Sequence, residues 1–160
     1  MTLHPIQPVY DRNASILILG SFPSVKSREI GFFYGHPQNR FWRVVSAVWQ
    51  QELPQTTEEK RSFLLKNHIA LWDVIQSCEI DGSSDSSIRQ VTPNDLSPIL
   101  RTCRIRQIYT NGKKANCLYQ RYLQTQTHRN AVYLPSTSPA NASWSLERLI
   151  EAWSVIRQAE

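Results

Sequence analysis

The 160-residue sequence contains no long apolar run and only 5 glycines. No stretch approaches the roughly 18 consecutive apolar residues that a membrane-spanning helix requires. Two prolines within residues 1–8 interrupt the region where a signal peptide would be hydrophobic. A composition of 41% hydrophobic and 19% charged residues excludes collagen-like repeats and argues against disorder. We therefore expect a single globular domain over 1–160 that contacts no membrane and remains in the cytoplasm.

Cysteine-based and cofactor-binding signatures are also missing. Cys78, Cys103 and Cys117 are odd in number and form no C-x-x-C pair, which argues against a disulfide framework or a zinc site. We expect all three to be buried thiols in a reducing compartment. The sequence contains no G-x-G-x-x-G fingerprint and no G-K-[ST] P-loop. It therefore predicts neither a metal nor another cofactor.

Positive charge is unevenly distributed along the chain. The formal net charge is +5, yet residues 100–141 carry seven basic and no acidic side chains, whereas residues 51–99 carry four basic and eight acidic ones. A cationic segment of this kind is a candidate footprint for the phosphates of a nucleic acid. A solvated helix face with its loops would show the same charges, so charge alone leaves both interpretations open.

Short apolar or β-branched runs alternate with longer amphipathic stretches, which is the pattern of an α/β protein. The predicted strands are 15–19, 69–74, 106–110 and 131–134. The predicted helices are 39–50, 58–67, 94–102, 113–123 and 142–157. Thr56 and Glu59 form a capping box before the second helix, and Pro93 is placed to open the third. The sequence thus predicts a parallel sheet covered on both faces, a three-layer α/β/α domain.

Ligands of such sheets bind in the loops that follow the carboxyl ends of the strands. Here those loops are residues 20–38, 73–88, 111–112 and 135–141. Candidate functional residues are therefore sought in these four segments.

The first loop contains three consecutive aromatic residues, at 32–34. They cannot all enter one core, so they either stack on a nucleobase or form a hydrophobic lid over the sheet edge. Asn39 directly precedes an apolar helix and is a candidate N-cap. His36 either contacts a phosphate or a base, or fills the turn that precedes the helix.

The last loop places hydroxyl and amide side chains between two prolines, ahead of a predicted helix. Backbone N–H groups and hydroxyls at such a position can hold a phosphate. The alternative is an ordinary proline-rich loop in which Asn141 or Ser143 caps the helix.

Two of these segments resemble motifs of one enzyme superfamily. Residues 33–42, FYGHPQNRFW, resemble the helix-entry motif of the mismatch-specific uracil-DNA glycosylases. Residues 134–141, LPSTSPAN, resemble the second motif of the uracil-DNA glycosylase superfamily, a loop that pinches the DNA backbone and wedges into the duplex. The resemblance covers nearly the whole chain, is most specific over 16–45, and implies a central, mainly parallel four-stranded sheet.

The sequence departs from the mismatch-specific enzymes at one position. They carry an asparagine that positions the attacking water where Phe22 stands here, and residues 20–24 contain no aspartate that would replace it. The chain is most similar to the hypoxanthine-DNA glycosylase branch. The segments that carry this similarity are 20–24 (GSFPS), 71–75 (LWDVI), 85–88 (DSSI) and 136–140 (STSPA). In that branch, the resemblance assigns catalysis to Asn39.

The resemblance implies a monofunctional DNA glycosylase of base excision repair. Such an enzyme flips out a deaminated base, chiefly hypoxanthine, and hydrolyses the N-glycosidic bond with water that Asn39 positions. Its partner would be damaged DNA, double- or single-stranded, bound by a monomer that associates with the nucleoid. The alternatives are a G:T/U mismatch-specific uracil-DNA glycosylase and a catalytically silent DNA-binding domain of the same fold.

The resemblance and the chemistry of hypoxanthine also suggest residues that bind the base. Tyr34, or failing it Phe33, would stack on the flipped base, and backbone N–H groups near Phe22 would serve O6 or N7. Asp73 would accept from N1–H, unless it caps a helix or forms a salt bridge. The residues expected to bind DNA are Ser24, His36, Asn111, Lys113, Lys114, Ser136, Thr137, Ser138, Pro139, Ala140 and Asn141.

Overall fold

The computed structural model describes residues 1–158, which form two β-sheets and their covering helices. The strands are β1 (Thr2–Leu3), β2 (Ile16–Gly20), β3 (Ile69–Asp73), β4 (Ile75–Glu79), β5 (Arg89–Pro93), β6 (Gln107–Asn111) and β7 (Ala131–Leu134). The helices are α1 (Val25–Ile30), α2 (Phe41–Val48), α3 (Thr57–Lys66), α4 (Ser97–Thr102), α5 (Lys113–Tyr122), α6 (Gln124–Thr127), α7 (Leu146–Trp153) and α8 (Val155–Gln158), and a 3₁₀ turn spans Asp85–Ser87. Positions 159 and 160 of the predicted domain lie outside the described residues.

The main sheet has four parallel strands in the order β3-β2-β6-β7, which confirms the predicted architecture. All five residues of β2 are buried. Ile16 and Ile18 point into one hydrophobic core, and Leu17 and Leu19 point into another on the opposite face. A strand that alternates between two cores must be covered on both sides, which is why β2 is apolar throughout.

The two cores assign the helices to the two faces of the sheet. Side chains of α2, α3 and α7 fill the first core, where Phe41 and Trp153 are fully buried. Side chains of α4 and α5 fill the second, with Ile99 and Tyr119 among the buried residues. The predicted three-layer α/β/α arrangement is therefore confirmed.

A second, antiparallel sheet in the order β1-β4-β5 was not predicted. Its strand β4 lies inside the segment predicted as a loop, and β5 includes Pro93, which was predicted to open a helix. The prediction for 94–102 is wrong at its start, because α4 begins at Ser97 and has Pro98 in its first turn. Asn94 is instead buried, and its Nδ2 donates to the carbonyls of Asp73 at 2.9 Å and Ile75 at 3.1 Å.

Several other predicted boundaries shift for local reasons. The helix predicted from 142 begins at Leu146, because the Ser145 hydroxyl caps it by accepting from the Arg148 N–H at 3.2 Å. Thr56 caps α3 as predicted, although the Glu59 carboxylate reaches back to the Gln55 N–H. The predicted loop 20–38 contains α1.

Two further findings concern general expectations from the sequence. Cys117 is exposed on α5, so the prediction of a buried thiol is wrong there, whereas Cys78 and Cys103 are buried. No helix within the part of the chain that the structure describes is long and apolar enough to cross a membrane.

Candidate active site

A cavity of about 320 Å³ opens where the four parallel strands end. Gly20 ends β2, Asp73 ends β3, Asn111 ends β6, and Ser136 follows β7 closely. The cavity is lined by Gly20, Ser21, Phe22, Pro23, Ser24, Ser27, Phe33, Tyr34, His36, Asn39, Asp73, Ser83, Asp85, Asn111, Ser136, Thr137, Ser138, Pro139 and Ala140. The structure thus brings together all but three of the predicted site residues, namely Lys113, Lys114 and Asn141.

Asp73 places a buried carboxylate at the carboxyl end of β3. Its side chain is 5% exposed and that of His4 is 2% exposed, and the two meet with His4 Nε2 2.7 Å from Asp73 Oδ2. The second oxygen, Oδ1, accepts no hydrogen bond from residues 1–158, and Asp73 is one of the residues that line the cavity. Asp73 is therefore paired through Oδ2, as one of the two alternatives expected, and its contact with a base stays a prediction.

Gly20 lets two polar groups approach the end of β2. A Cβ at this position would lie 2.4 Å from Asp73 Oδ1 and 2.9 Å from the Tyr34 hydroxyl oxygen. Both distances are shorter than a carbon–oxygen contact allows. The absence of a side chain at Gly20 is therefore a condition for having Asp73 and Tyr34 side by side.

Tyr34 is held by stacking and by an unusual backbone conformation. Its ring stacks on Phe41 at 4.1 Å between centroids, and its φ of +52° lies in the left-handed region. Its hydroxyl is buried without a hydrogen-bond partner among the described residues. Burial raises the pKa of this hydroxyl far above its usual range, and the negative charge of Asp73 raises it further. Tyr34 therefore remains a proton donor.

The other aromatic candidates form walls of the cavity. The Phe22 ring contacts the His4 ring edge-on at 5.7 Å, and the Arg28 guanidinium lies 5.5 Å from its centroid. Phe33 is 2% exposed and packs against Phe32, so little of its ring faces the cavity. Of the two predicted stacking residues, Tyr34 is the more accessible one.

Asn39 is fixed by two hydrogen bonds to a single atom. Its Oδ1 accepts from the Phe41 N–H and from the Thr137 hydroxyl, both at 2.9 Å. The backbone N–H can only donate, so this bond identifies Oδ1 and leaves Nδ2 toward the cavity. The amide holds the start of α2 as expected of a cap, although the cap position itself is Arg40. Its remaining chemical function is the donation of hydrogen bonds.

Thr137 and Asn111 support Asn39 from behind. Thr137 is fully buried, and its hydroxyl accepts from Asn111 Nδ2 at 3.0 Å while donating to Asn39. The Thr137 N–H donates to Asn111 Oδ1 at 3.1 Å. These two side chains, predicted to bind DNA, use their polar atoms within the protein. They connect the ends of β6 and β7 to the candidate catalytic amide.

Arg40 binds the last loop to α2, although it was not among the predicted site residues. Its guanidinium donates to the carbonyls of Ser138 and Asn141, both at 3.0 Å, and to that of Trp144. Its backbone N–H donates to the Thr137 carbonyl at 3.0 Å. Three carbonyls aimed at one guanidinium fix the curvature of this loop. A basic residue at the start of an apolar helix was the only signal in the sequence.

The loop 135–141 is also held by its own side chains. The Ser136 hydroxyl accepts from the Ser138 N–H, and the Ser138 hydroxyl accepts from the Ala140 N–H, both at 3.1 Å. Asn141 Nδ2 donates to the Ser136 carbonyl at 3.0 Å. Gly112 passes so close that a Cβ there would lie 3.1 Å from the Ser136 Cβ. The loop is therefore rigid before any ligand binds.

Ser24 and His36 line the cavity and also have local roles. The Ser24 hydroxyl caps α1 by accepting from the Ser27 N–H at 3.1 Å. His36 Nδ1 accepts from the Gln38 N–H at 3.1 Å, which leaves its Nε2 free for another contact. Local capping at these positions is compatible with the predicted contact to DNA.

A second cleft adjoins the first and shares four lining residues with it, namely Asp85, Ser136, Ser138 and Ala140. Lys113, Lys114 and Asn141 line this second cleft, together with the exposed aromatic residue Tyr133. The remaining basic residues of 100–141 do not line either cleft. The cationic segment of the sequence thus contributes two lysines to this region rather than seven basic side chains.

Asp85 and Ser21 form a polar rim that was missing from the predicted site. The Ser21 hydroxyl donates to Asp85 Oδ1 at 2.9 Å. Asp85 is an exposed residue, but the protein around its carboxyl group partly desolvates that group and raises its pKa, while the Ser21 hydrogen bond and the charge of Lys114 act in the opposite direction. Segments 20–24 and 85–88 carry part of the sequence similarity, but the sequence assigns no role to Ser21 or Asp85.

The lining of the first cavity limits the chemistry that its residues can perform. In the described residues, no lysine or cysteine lines it, so no such side chain is placed to attack a sugar carbon. Within 1–158, no three His, Cys, Asp or Glu side chains are grouped to hold a metal ion. The polar groups available are an amide donor, a carboxylate oxygen, a tyrosine hydroxyl and a rigid hydroxyl-rich loop.

Comparisons with known proteins agree with this arrangement. Residues 7–157 match the family model of the uracil DNA glycosylase superfamily. A Methanosarcina acetivorans protein named hypoxanthine DNA glycosylase is 39% identical over 151 residues, which are 93% of this chain and 94% of that protein. A Methanosarcina barkeri protein of the same name is 34% identical over 150 residues, which are 92% of each chain.

A solved structure is similar as well. The solution NMR structure of a uracil DNA glycosylase candidate from Methanosarcina acetivorans superimposes with a TM-score of 0.82 at 36% sequence identity. The similarity covers 96% of both chains. Sequence and fold therefore point to the same family.

Proposed function

The chain belongs to the uracil DNA glycosylase superfamily, and from this premise we propose that it is a monofunctional DNA glycosylase that excises hypoxanthine. The substrate would be deoxyinosine in damaged DNA, and the products would be free hypoxanthine and an abasic site. The two relatives named hypoxanthine DNA glycosylase support this choice over uracil. As part of the same proposal, the chain acts as a monomer in the cytoplasm, where it binds nucleoid DNA.

The free oxygen of the Asp73 carboxylate is the observation that carries the proposed base preference. Hypoxanthine presents an N1–H donor between a carbonyl at C6 and a C–H at C2. Oδ1 can accept from N1–H and meets only a C–H on one side. Uracil presents its N3–H between two carbonyls, one of which would face the carboxylate in either orientation. Adenine has a lone pair at N1 and would be repelled.

The reaction requires little covalent chemistry from the protein. Breaking the N-glycosidic bond develops positive charge on the sugar and negative charge on the leaving base, and water then adds to the sugar carbon. Asn39 Nδ2 would donate a hydrogen bond to that water, a role supported by the two hydrogen bonds that hold Oδ1 and orient the amide. Tyr34 stacks on the flipped base, and the loop 135–141 receives the backbone phosphates through the hydroxyl groups of Ser136 and Ser138, which accept hydrogen bonds within the loop and keep their own protons to donate.

A panel of DNA duplexes tests this function. Wild-type protein is expected to release hypoxanthine from a duplex with one deoxyinosine, scored as alkali-labile strand breaks, and to cut uracil or xanthine duplexes more slowly. Asn39→Ala is expected to lower the single-turnover rate by about 10²-fold or more, as the loss of a preorganised donor does in other hydrolases. Loss of the bond to Phe41 should also cost about 1 kcal/mol of stability.

A measurement of DNA binding makes the result interpretable. DNA binding by Asn39→Ala, measured on a duplex with a stable abasic analogue, should stay close to that of the wild type. If wild-type protein binds DNA but releases no base from any duplex, the alternative of a catalytically silent DNA-binding domain is correct.

A further inference from the structure

The N-terminal segment delivers His4 to the back of the proposed active site. Strand β1 pairs with β4 through Thr2 and Leu3, and the His4 N–H donates to the Gln76 carbonyl at 2.8 Å. Two residues later, the Ile6 carbonyl accepts from the indole N–H of Trp72 at 3.2 Å. The backbone is thus anchored on both sides of His4, and the position of its ring is determined by the fold.

Hydrogen bonding identifies which nitrogen of the His4 ring carries the proton. Nδ1 accepts from the Ile6 N–H at 3.2 Å, and a backbone amide can only donate, so Nδ1 carries a lone pair. The proton of the neutral imidazole is therefore on Nε2, which donates to Asp73 Oδ2 at 2.7 Å. His4 and Asp73 are thus a hydrogen-bonded pair in which His4 Nε2 donates and Asp73 Oδ2 accepts.

Aromatic neighbours leave the His4 ring little freedom to turn. The rings of Phe22, Phe33 and Trp72 lie 5.7, 6.2 and 6.3 Å from it, measured between centroids. With the ring held on three sides, the plane of the Asp73 carboxylate is fixed through Oδ2. Oδ1 is then held beside Gly20, where a Cβ would lie 2.4 Å from it, and both residues line the cavity.

We propose that His4 is a positioning residue that determines base specificity by occupying Asp73 Oδ2, so that only Oδ1 is available to the base. This inference rests on the proposed glycosylase function. A base edge with a single N–H donor, such as that of hypoxanthine, matches one free acceptor. Guanine presents two adjacent donors, N1–H and the 2-amino group, which together match a carboxylate with both oxygens free. His4 thereby helps the enzyme to spare undamaged guanine.

Three variants separate this role from packing. His4→Phe keeps an aromatic ring between the same neighbours but has no proton to donate. His4→Gln can donate through Nε2, and His4→Ala leaves Oδ2 open. Single-turnover release of hypoxanthine and guanine is measured for each variant, together with its melting temperature.

His4→Phe is expected to release hypoxanthine about 10- to 100-fold more slowly than the wild type, which corresponds to the loss of a hydrogen bond to a charged group. His4→Gln should recover most of that loss. In His4→Ala the ratio of the hypoxanthine rate to the guanine rate should fall about tenfold. A merely structural role predicts the opposite order, with Phe tolerated better than Gln.

A nitrogen-15 NMR spectrum of the imidazole groups provides a readout that is independent of activity. Wild-type protein should show the neutral Nε2–H form for His4, and Asp73→Asn should shift the His4 signals. A proton on Nδ1, or a wild-type rate and ratio in both His4→Phe and His4→Ala, would overturn the inference. A wild-type protein that releases no hypoxanthine would instead contradict the proposed function, while the NMR spectrum still decides the His4–Asp73 pairing.

Discussion

At the scale of single residues, the site depends on polar atoms that hydrogen bonds from neighbouring residues hold in place. Asn39 has one oxygen bound by Phe41 and Thr137, and Asp73 has one oxygen bound by His4. Each side chain thus offers the cavity one defined group instead of two interchangeable ones. Sequence motifs predicted Asn39 and Asp73, but they contained no information about which atom would be free.

Gly20→Ala tests how closely the groups at the end of β2 must approach. The new Cβ would lie 2.4 Å from Asp73 Oδ1, and His4 prevents that carboxylate from moving away freely. We expect base release to fall about 10²-fold, the effect of a displacement of roughly 1 Å at a reacting centre. Gly82→Ala is the control, because its Cβ would meet no atom within 4 Å and its φ of +61° affects stability alone.

The raised pKa of Asp85 predicts a pH-dependent change in stability. The folded protein binds the proton of the Asp85 carboxyl group more tightly than the unfolded chain does. The protonated carboxyl group therefore contributes to the stability of the fold at acidic pH, and this contribution is lost as the pH rises through the raised pKa. Asp85→Asn keeps an acceptor for Ser21 and has no charge to desolvate. We expect it to unfold at higher denaturant concentration than the wild type at pH 7, with the difference disappearing near pH 3.

Asp81→Asn is the matched control for Asp85→Asn. The Asp81 side chain is 78% exposed and lies outside the lining of both clefts. The effect of Asp81→Asn on the denaturant concentration needed for unfolding should therefore change less between pH 7 and pH 3. Equal behaviour of the two variants would contradict the account of Asp85.

At the scale of secondary-structure elements, Arg40 joins the start of α2 to the loop before α7. Arg40→Lys keeps the charge, but one ammonium group cannot reach the three carbonyls that the guanidinium binds. We expect a loss of about 2 kcal/mol in stability and faster amide hydrogen exchange in residues 138–144. Arg43→Lys, at an exposed position of the same helix, should change neither quantity. Unchanged exchange in Arg40→Lys would contradict this role.

The sequence predicted the elements whose environment is encoded locally. Strands β2, β3 and β6 have buried, mainly apolar centres, β7 is apolar although Val132 and Tyr133 are exposed, and the cap of α3 is formed by a neighbouring side chain. Strand β1 has only two residues, and β5 has no buried residue, so neither carries an alternating pattern. Pro93 was assigned to a helix because the sequence could not show that Asn94 binds the carbonyls of Asp73 and Ile75.

Contacts between residues that are distant in the sequence were also what the prediction of the candidate site lacked. The ends of the four parallel strands were located to within one residue, so the candidate segments begin at the cavity, although 20–38 contains α1 and 73–88 contains β4. His4 was missed because it reaches the site from a sheet that was not predicted. Arg40 was missed because its partners are backbone carbonyls about 100 positions away in the sequence. Contacts of this kind leave no periodic pattern to detect.

At the scale of the whole molecule, the distribution of charge determines how strongly salt weakens DNA binding. Arg104 and Arg106 precede β6, whereas Lys113 and Lys114 follow it. The two arginines therefore lie toward the opposite edge of the sheet from the cavity. We expect Lys113→Ala and Lys114→Ala each to make the slope of log affinity against log salt less negative by about 1. Arg104→Ala and Arg106→Ala should leave this slope unchanged, and an equal effect of all four would contradict the placement of DNA at the clefts.

The central claim is that this chain is a glycosylase that selects hypoxanthine through one carboxylate oxygen at the end of β3. The most direct test is the single-turnover rate of base release from matched duplexes containing deoxyinosine, deoxyuridine or deoxyadenosine, for the wild type and Asp73→Asn. We predict that the wild type cuts the deoxyinosine duplex fastest, and that Asp73→Asn lowers this rate about tenfold or more relative to deoxyuridine. Equal rates for deoxyinosine and deoxyuridine in the wild type, or an unchanged ratio in Asp73→Asn, would contradict the claim.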